Sequence, residues 1–320
     1  MLLSLYALLI GFFLDLLFGE PRMIPHPVVL IGKLISFLNK NLRRIFPKTV
    51  LGERLAGGVL WLIVVTISTG VPFLFLCLCH WISPWLRLAV ESVMCWHILA
   101  TKSLRTESMK VYAALCGGDR ELARHEVSMI VGRDTERLTE GDIVRATVET
   151  IAENTSDGVI APLLFLAIGG APLGFFYKAV NTMDSMLGYV EPPYRNIGYF
   201  PAKLDDVMNF IPSRISAILM LIVGFFLRLD VRNGWKIFLR DRRKHSSPNA
   251  AQTESVFAGL LGLRLAGDAW YHGVLHKKDY IGDPLREIEY ADIPRSCRVL
   301  YATAVFALLL CTAIKLLILL

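Results

Sequence analysis

The sequence predicts an all-α, polytopic membrane bundle with helical extramembrane segments. Three observations predict it. Hydrophobic residues make up 54% of the 320 and charged ones only 19%, and the apolar surplus falls in long runs and not in the short blocks of a soluble core. Lys and Arg gather between those runs, with seven in 19–54, eight in 101–158 and thirteen in 228–298. The polar segments themselves carry helical spacing and helix-capping residues.

Taken in chain order, the first run, 2–18, is short and carries Asp15. No positive residue precedes it and no small-x-small pattern follows, so it reads as an anchor or a buried helix and not as a signal peptide. A tight, proline-stiffened turn follows, in which His26 lies between Pro25 and Pro27 in an extended segment. The run 55–79 is a clear span. The run 85–99 is interrupted by Arg87 and Glu91, which makes it tilted, interfacial or packed inside the bundle. The runs 159–177, 211–227 and 299–320 complete a set of about five spans, with four to six as bounds. The chain reads as one membrane-embedded domain, 1–320, with 101–158 and 228–298 outside the membrane. Lys and Arg near span ends are retained in the cytoplasm, so both segments are placed there, in a multi-pass protein of the cytoplasmic (inner) membrane.

The segment 101–158 predicts two helices separated by Gly117-Gly118-Asp119, where glycine stops one and aspartate caps the next. A loop passes through Gly132-Arg133-Asp134, and a further helix starts around Thr139. On that helix Arg145, Glu149, Glu153 and Asp157 recur at spacing four and share a face, with Val144, Val148 and Ile151 on an apolar side. A solvated face with local ion pairs is the plain explanation. Three successive carboxylates repel one another unless a positive group covers them, and a divalent cation is the simplest such group. Asn154 adds an amide beside them.

The run 159–177 contains Pro162, Gly169, Gly170 and Pro172, residues that break a span where freed backbone groups find other partners. Two complete crossings would put 178–210 outside, which suits its few basic residues, yet its acids and amides resemble the other half of a site. Either 159–177 and 211–227 are re-entrant, or that half reaches inward from the far side. Six cysteines are scattered without a C-x-x-C pair, so neither a disulfide framework nor a zinc site is expected. The net charge of +6 sits mainly on the 228–298 segment, where a basic run suits anionic lipid headgroups. Few aromatics accompany it, so a nucleic-acid partner is not expected.

Candidate chemistry lies at the edges of the spans, where ionisable groups are expensive to desolvate and mark sites. Asp205, Asp206 and Asn209 suit magnesium, which prefers a few carboxylates, waters and substrate phosphates. Lys178, Arg195, Lys203 and Arg214 suit phosphate or carboxylate recognition, Arg as a fork and Lys as a point charge. Lys178, Asn181 and Asp184 lie near helical spacing, and His245-Ser-Ser-Pro-Asn249 is a polar turn suited to an anion. Interfacial snorkelling is the structural alternative for each base. No Walker A loop, nucleophile elbow or H-E-x-x-H motif is present.

The segments DLLFGEPRMIPHPVVLIGKLI (15–35), IVGRDTERL (130–138), VETIAENTSDGVIAPLLF (148–165), YKAVNTMDSMLGY (177–189), PAKLDDVMNFIPSR (201–214) and RDRRKHSSPNA (240–250) closely resemble the adenosylcobinamide-phosphate synthases, the CobD/CbiB-type membrane proteins of cobalamin biosynthesis. The likeness runs from Asp15 to about Arg298, with Glu20 where aspartate is more usual. It implies an amide-forming ligase. Such an enzyme joins (R)-1-amino-2-propanol or its O-phosphate to a propionate of adenosylcobyric acid, a corrinoid, with ATP and Mg²⁺. Under that resemblance Glu149, Glu153, Asp157, Asp205 and Asp206 are expected to hold metal, Glu149 and Glu153 beside the reacting groups. Arg133, Lys178, Arg195 and Lys203 would hold phosphates, with Asn154, Asn181, Arg214, His245 and Asn249 completing substrate contacts. His26 or Asp184 would accept the proton of the attacking amine. Membrane lipid surrounds such a protein, and a homo-oligomer or a complex with other cobalamin-assembly membrane proteins is the expected setting. Two rival functions are a magnesium-dependent membrane prenyltransferase and a non-catalytic corrinoid transporter or scaffold. The long polar segments argue against the first, and the lack of visible inverted halves against the second.

Overall fold

A computed structural model describes residues 2–20, 26–189, 193–271 and 273–319. The turn expected at Pro21–Pro25 lies outside these described residues. Thirteen helices are present among them: α1 Leu2–Phe18, α2 Pro27–Ile45, α3 Val50–Ile82, α4 Pro84–Ile98, α5 Thr101–Cys116, α6 Arg120–Ser128, α7 Glu140–Asn154, α8 Ala161–Leu187, α9 Tyr199–Met208, α10 Phe210–Phe226, α11 Val231–Asp241, α12 Ala250–Leu261 and α13 Asp292–Leu319. A π-helical turn, Thr155–Ile160, continues α7. The fold is all-α as expected, with two small antiparallel ribbons added: β1 (Leu265–Ala266) pairs β4 (Tyr280–Ile281), and β2 (Ala269–Tyr271) pairs β3 (Val274–His276).

Helix starts follow the caps written in the sequence. Asp119 accepts from Leu122 N at 2.9 Å, while Gly118 takes φ +74° to end α5. Thr139 and Asp142 form a reciprocal capping box at α7. Ser83 caps α4 ahead of Pro84, and Asp230 caps α11. All six cysteines are free.

Three helical stretches are long and apolar enough to cross a membrane: Val50–Ile82, Glu140–Leu187 and Asp292–Ile318. The pair Tyr199–Met208 and Phe210–Phe226, bent by 44°, makes a fourth if it is one span. With the bent pair the count is four, the lower bound of the four to six expected among the described residues. Leu2–Phe18 has only 17 residues, about 25 Å at 1.5 Å per residue against a hydrocarbon layer near 30 Å. Pro84–Ile98 is shorter still, at 15 residues.

The chain forms two compact units, each assembled from separated segments. The first comprises residues 1–100, 161–209 and 310–320. In it α1 packs on α4 and α3 on α8. The break predicted in 159–177 is real and sits at Gly169 (φ −129°, ψ 17°) and Gly170 (φ 66°, ψ −163°). Glu91, 1% exposed, faces it, with Oε1 3.5 Å from the Ala171 amide that opens the second half of α8. A Cβ on Gly170 would stand 2.4 Å from that oxygen. Only glycine fits both the dihedral and the space.

The second unit comprises residues 101–160 and 210–309, and so contains both long polar segments. Its central element is α12, every residue of which is buried. Helix α11 packs on it so closely that a Cβ on Gly259 would lie 2.6 Å from Gly234 Cα. Helices α7 and α10 also pack on α12, and the buried side of α7 is Ile143, Val144, Val148 and Ile151. A helix buried all round normally lacks polar residues. This one carries Gln252, Thr253, Glu254 and Ser255, and they point to the site.

Candidate functional site

The second unit gathers a cluster of buried charge along α7 and α12. Glu149, 3% exposed, is held from both sides: Oε2 pairs with Arg133 Nη2, and Oε1 accepts the Ala266 amide at 2.6 Å. Glu153 follows one turn later on α7. Glu254, 5% exposed on α12, faces Glu149 and Glu153 within Coulombic reach, with Arg133 and Lys278 as nearby cations. Its Oε2 is buried and has no hydrogen-bond partner. Burial, then the charges of Glu149 and Glu153, hold the Glu254 carboxyl well above its usual range.

Part of the repulsion expected along the stripe is relieved by a group of the chain itself. The positive charge over Glu149 is Arg133, brought in by the 132–134 loop, and Arg145 turns away to Asp142 at 2.8 Å. Asn154 spends its amide on the Thr150 carbonyl at 3.0 Å. Asp157 falls in the π-helical turn, where the four-residue rhythm of the stripe gives way; such turns concentrate at functional sites. Among the described residues no group of three or more His, Cys, Asp or Glu has a geometry that could hold a metal ion.

Beside the carboxylates lies an anion-type pocket. A cavity of about 490 Å³ is lined by Phe210, Arg214, Arg242, Arg243, His245, Ser246, Pro248 and Gln252, three arginines and no carboxylate. Arg214 is fixed by uncharged oxygens: Nη1 donates to Phe210 O at 2.7 Å, Asn249 Oδ1 at 3.0 Å and Ser213 Oγ at 3.0 Å, and Nη2 to Pro248 O at 3.3 Å. Its guanidinium stacks over Phe210, 3.6 Å from the ring centroid. Gln252 clamps the segment by donating to Arg242 O and Pro248 O, both at 3.0 Å.

His245 belongs to both features. It lines the arginine pocket, and it feels Lys278, Glu149 and Arg133 of the acidic cluster. Burial, then the positive charge of Lys278, lowers it to about 4. Its Nδ1 accepts the Ser247 amide at 3.0 Å, so the neutral ring carries its proton on Nε2. The pocket is walled on α11 by a buried node. Asp241, 0% exposed, takes Arg240 bidentately at 2.8 and 2.7 Å, Lys244 at 2.8 Å and the Gly282 amide at 2.8 Å. A second cavity of about 450 Å³ shares Arg133 and Ala266 with the cluster and is walled by Trp270, over which Arg137 stacks at 4.7 Å.

The remaining expected residues belong to the first unit. His26 caps α2, its Nδ1 accepting Val28 N at 3.3 Å, and its Nε2 lies 3.9 Å from Glu20 Oε1. Burial lowers its pKa. Lys178 lies within Coulombic reach of His26. Asp184 folds over Gly188, and the Asn181 carbonyl accepts Ser185 Oγ at 2.9 Å. Asp205 and Asp206, adjacent on α9, are divided between two environments. Asp205 is buried and joins Asn209 (2.9 Å), which in turn accepts from Tyr177 Oη (2.8 Å), whereas Asp206 meets the exposed Lys203 at 3.4 Å. Neighbouring helix positions point about 100° apart, so the pair does not act as one. Arg195 is exposed.

Glu254, Arg242, Arg243 and Lys278 were missed as site residues in the sequence. The two arginines sit in a basic run that suits lipid headgroups equally well, and Glu254 lies in an unremarkable helical stretch. The only signal for it was a carboxylate within a helix otherwise made of small and apolar residues.

Comparison with known proteins agrees with the resemblance in the motifs. The CobD/Cbib protein family profile matches residues 8–300. Three relatives are each named cobalamin biosynthesis protein CobD. The one from Clostridium perfringens is 47% identical over 293 residues, 92% of each chain. Those from Clostridium tetani (43%, 94% of each chain) and Klebsiella pneumoniae (44%, 98% of each chain) are similar over comparable lengths. No solved structure matches. With a match covering most of its length and relatives well above 40% identity across both units, this chain belongs to the CobD/CbiB family.

Proposed function

We propose that this protein is a membrane enzyme of cobalamin biosynthesis that forms an amide between adenosylcobyric acid and (R)-1-amino-2-propanol or its O-phosphate, driven by ATP. The family membership and the names of its relatives support the pathway. The observation that carries the chemistry is the pocket of Arg214, Arg242 and Arg243 beside the Glu149–Glu153–Glu254 cluster, with His245 common to both.

A carboxylate does not condense with an amine at neutral pH until one of its oxygens is turned into a leaving group. Transfer of the ATP γ-phosphoryl to the propionate gives an acyl phosphate and ADP. Attack of the amine nitrogen on the acyl carbon then releases inorganic phosphate and one proton. Most of the catalysis in phosphoryl transfer is positioning and charge neutralisation. Three arginines without a competing carboxylate supply both, Arg214 preset by its carbonyl contacts and its stack on Phe210. His245, neutral, offers Nε2–H to an oxygen and adds no repulsion to the arginines.

Magnesium fits less well as a protein-held ion. Glu149 is engaged by Arg133 and Ala266, Asp205 Oδ2 by Asn209, and no group of three or more acids, His or Cys with metal-holding geometry is present among the described residues. The ion would instead be carried by the nucleotide's phosphates, and the chemistry it would supply is charge neutralisation.

The test is conversion by the purified full chain of adenosylcobyric acid with ATP, Mg²⁺ and either amine, resolved by mass. Formation of the amide with stoichiometric ADP supports the proposal. ATP-independent product, or corrinoid binding with no product, overturns it.

A further inference from the structure

Three carboxylates sit around the α7–α12 contact, and only one is occupied. Glu149 is closed by an arginine and an amide. Glu153 and Glu254 remain, with Lys278 as the other cation in reach. Burial and the neighbouring acids raise Glu254, so its carboxyl lacks the counter-charge that would hold it ionised, and a cation brought against it would supply one. Nor does water reach it. Glu254 is 5% exposed, and its Oε2 has no partner. A buried unpaired acceptor is costly enough that native folds rarely keep one without a use.

The spacing and charge say which ligand suits it. A divalent ion needs oxygens converging at about 2.0–2.6 Å, which no group of acids among the described residues provides. A primary ammonium carries one charge, donates three hydrogen bonds, and is satisfied by oxygens at about 2.7–2.9 Å. The arginine pocket next door, joined through His245, would receive an anionic substituent on the same small molecule.

We propose that Glu254, together with Glu153, forms the seat for the ammonium group of a short primary amine. This rests on the ligase function proposed above, in which an amine is the nucleophile, and it assigns that substrate's binding to a residue pair on α7 and α12. Glu254 then sets the preference for an amine over an isosteric alcohol.

The experiment uses the full chain in detergent, titrated calorimetrically without nucleotide. The probes are 1-amino-2-propanol O-phosphate and propane-1,2-diol 2-phosphate, which differs only in replacing the ammonium by a hydroxyl. Wild type should prefer the amine. Glu254→Gln should weaken amine binding about tenfold or more, the scale of one charge-assisted hydrogen bond, and leave the diol phosphate unchanged. In turnover the amine KM should rise while the ATP KM holds. Should Glu254→Gln fail to fold, Glu153→Gln is required to show the same selective loss, and Glu254→Asp a smaller one. Unchanged amine affinity in these variants overturns the proposal. So does selective loss of Mg²⁺ binding, titrated as the metal alone, with amine binding intact. Amide synthesis by wild type with an unaltered amine KM in Glu254→Gln would sink this assignment and spare the ligase function. Glu254-dependent amine binding without any amide product would do the reverse.

Discussion

Asp241→Asn is the substitution whose consequence can be worked most directly from the structure. The carboxylate is fully buried and meets four donors: two from Arg240, one from Lys244 and the Gly282 amide. It ties the end of α11 to the β4 turn and so fixes the Lys244–His245 segment that lines the arginine pocket. Asparagine keeps one acceptor oxygen but turns an NH₂ toward donors. Removing one member of a buried pair costs about 3–5 kcal/mol. The two cations are 40% and 36% exposed and can turn to water, so about 2–3 kcal/mol is the expected loss, or roughly 5–10 °C in Tm for a unit of this size. The pH dependence has a definite sign. Burial opposes ionisation of Asp241, but Arg240, Lys244 and the Gly282 amide outweigh it and hold its pKa far below the ordinary 3.8. The stabilisation is therefore complete above pH 3.8 and is lost as pH falls below it. Fluorescence-detected melts in detergent should show a large wild-type-to-variant gap at pH 7 that narrows on acidification below pH 4. Arg240→Gln should lose less, since Asp241 keeps Lys244 and Gly282. An Asp241→Asn protein with an unchanged Tm at pH 7 would refute the node's role.

Further predictions concern the pocket, the helix break and His245. Arg242→Ala with Arg243→Ala should weaken ATP binding at least tenfold and flatten its salt dependence, by loss of charge-assisted contacts; equilibrium dialysis at two ionic strengths measures both. Gly170→Ala should destabilise the first unit by more than about 2 kcal/mol, because a side chain at that dihedral is strained and meets Glu91; melts of that variant against Gly70→Ala, where nothing lies within 4 Å, give the comparison. His245, lowered to about 4, binds fewer protons folded than unfolded between that value and 6.5. Its contribution to stability is thus complete above pH 6.5 and is lost as pH falls toward 4. His245→Gln should remove that part of the acid sensitivity, read as a flatter Tm against pH.

Local rules carried much of the fold. Asp119 and Thr139 start helices where the sequence places them, because a cap depends on residues three apart. The Gly169–Gly170 break was legible for the same reason. The ribbons at 265–281 were not, since strands of two or three residues leave no period to read. The site was half legible. Helical spacing put Glu149 and Glu153 on one face, but nothing local announces that Arg133, sixteen residues earlier, takes Glu149 or that Glu254, about a hundred later, completes the cluster. Spacing also cannot tell a lipid-facing arginine from one that lines a pocket, which is why Arg242 and Arg243 were passed over.

The interleaving of the two units has a bearing on biogenesis. Residues 310–320 belong with 1–100, and 210–309 with 101–160, so neither body can close until its distant segment has left the ribosome. Lys315, buried and within electrostatic reach of Glu91 and Cys95, is made more than two hundred residues after them. Until then Glu91 waits beside the α8 break without that lysine. Nascent chains released before residue 310 should consequently be clients for membrane quality control rather than half-active fragments.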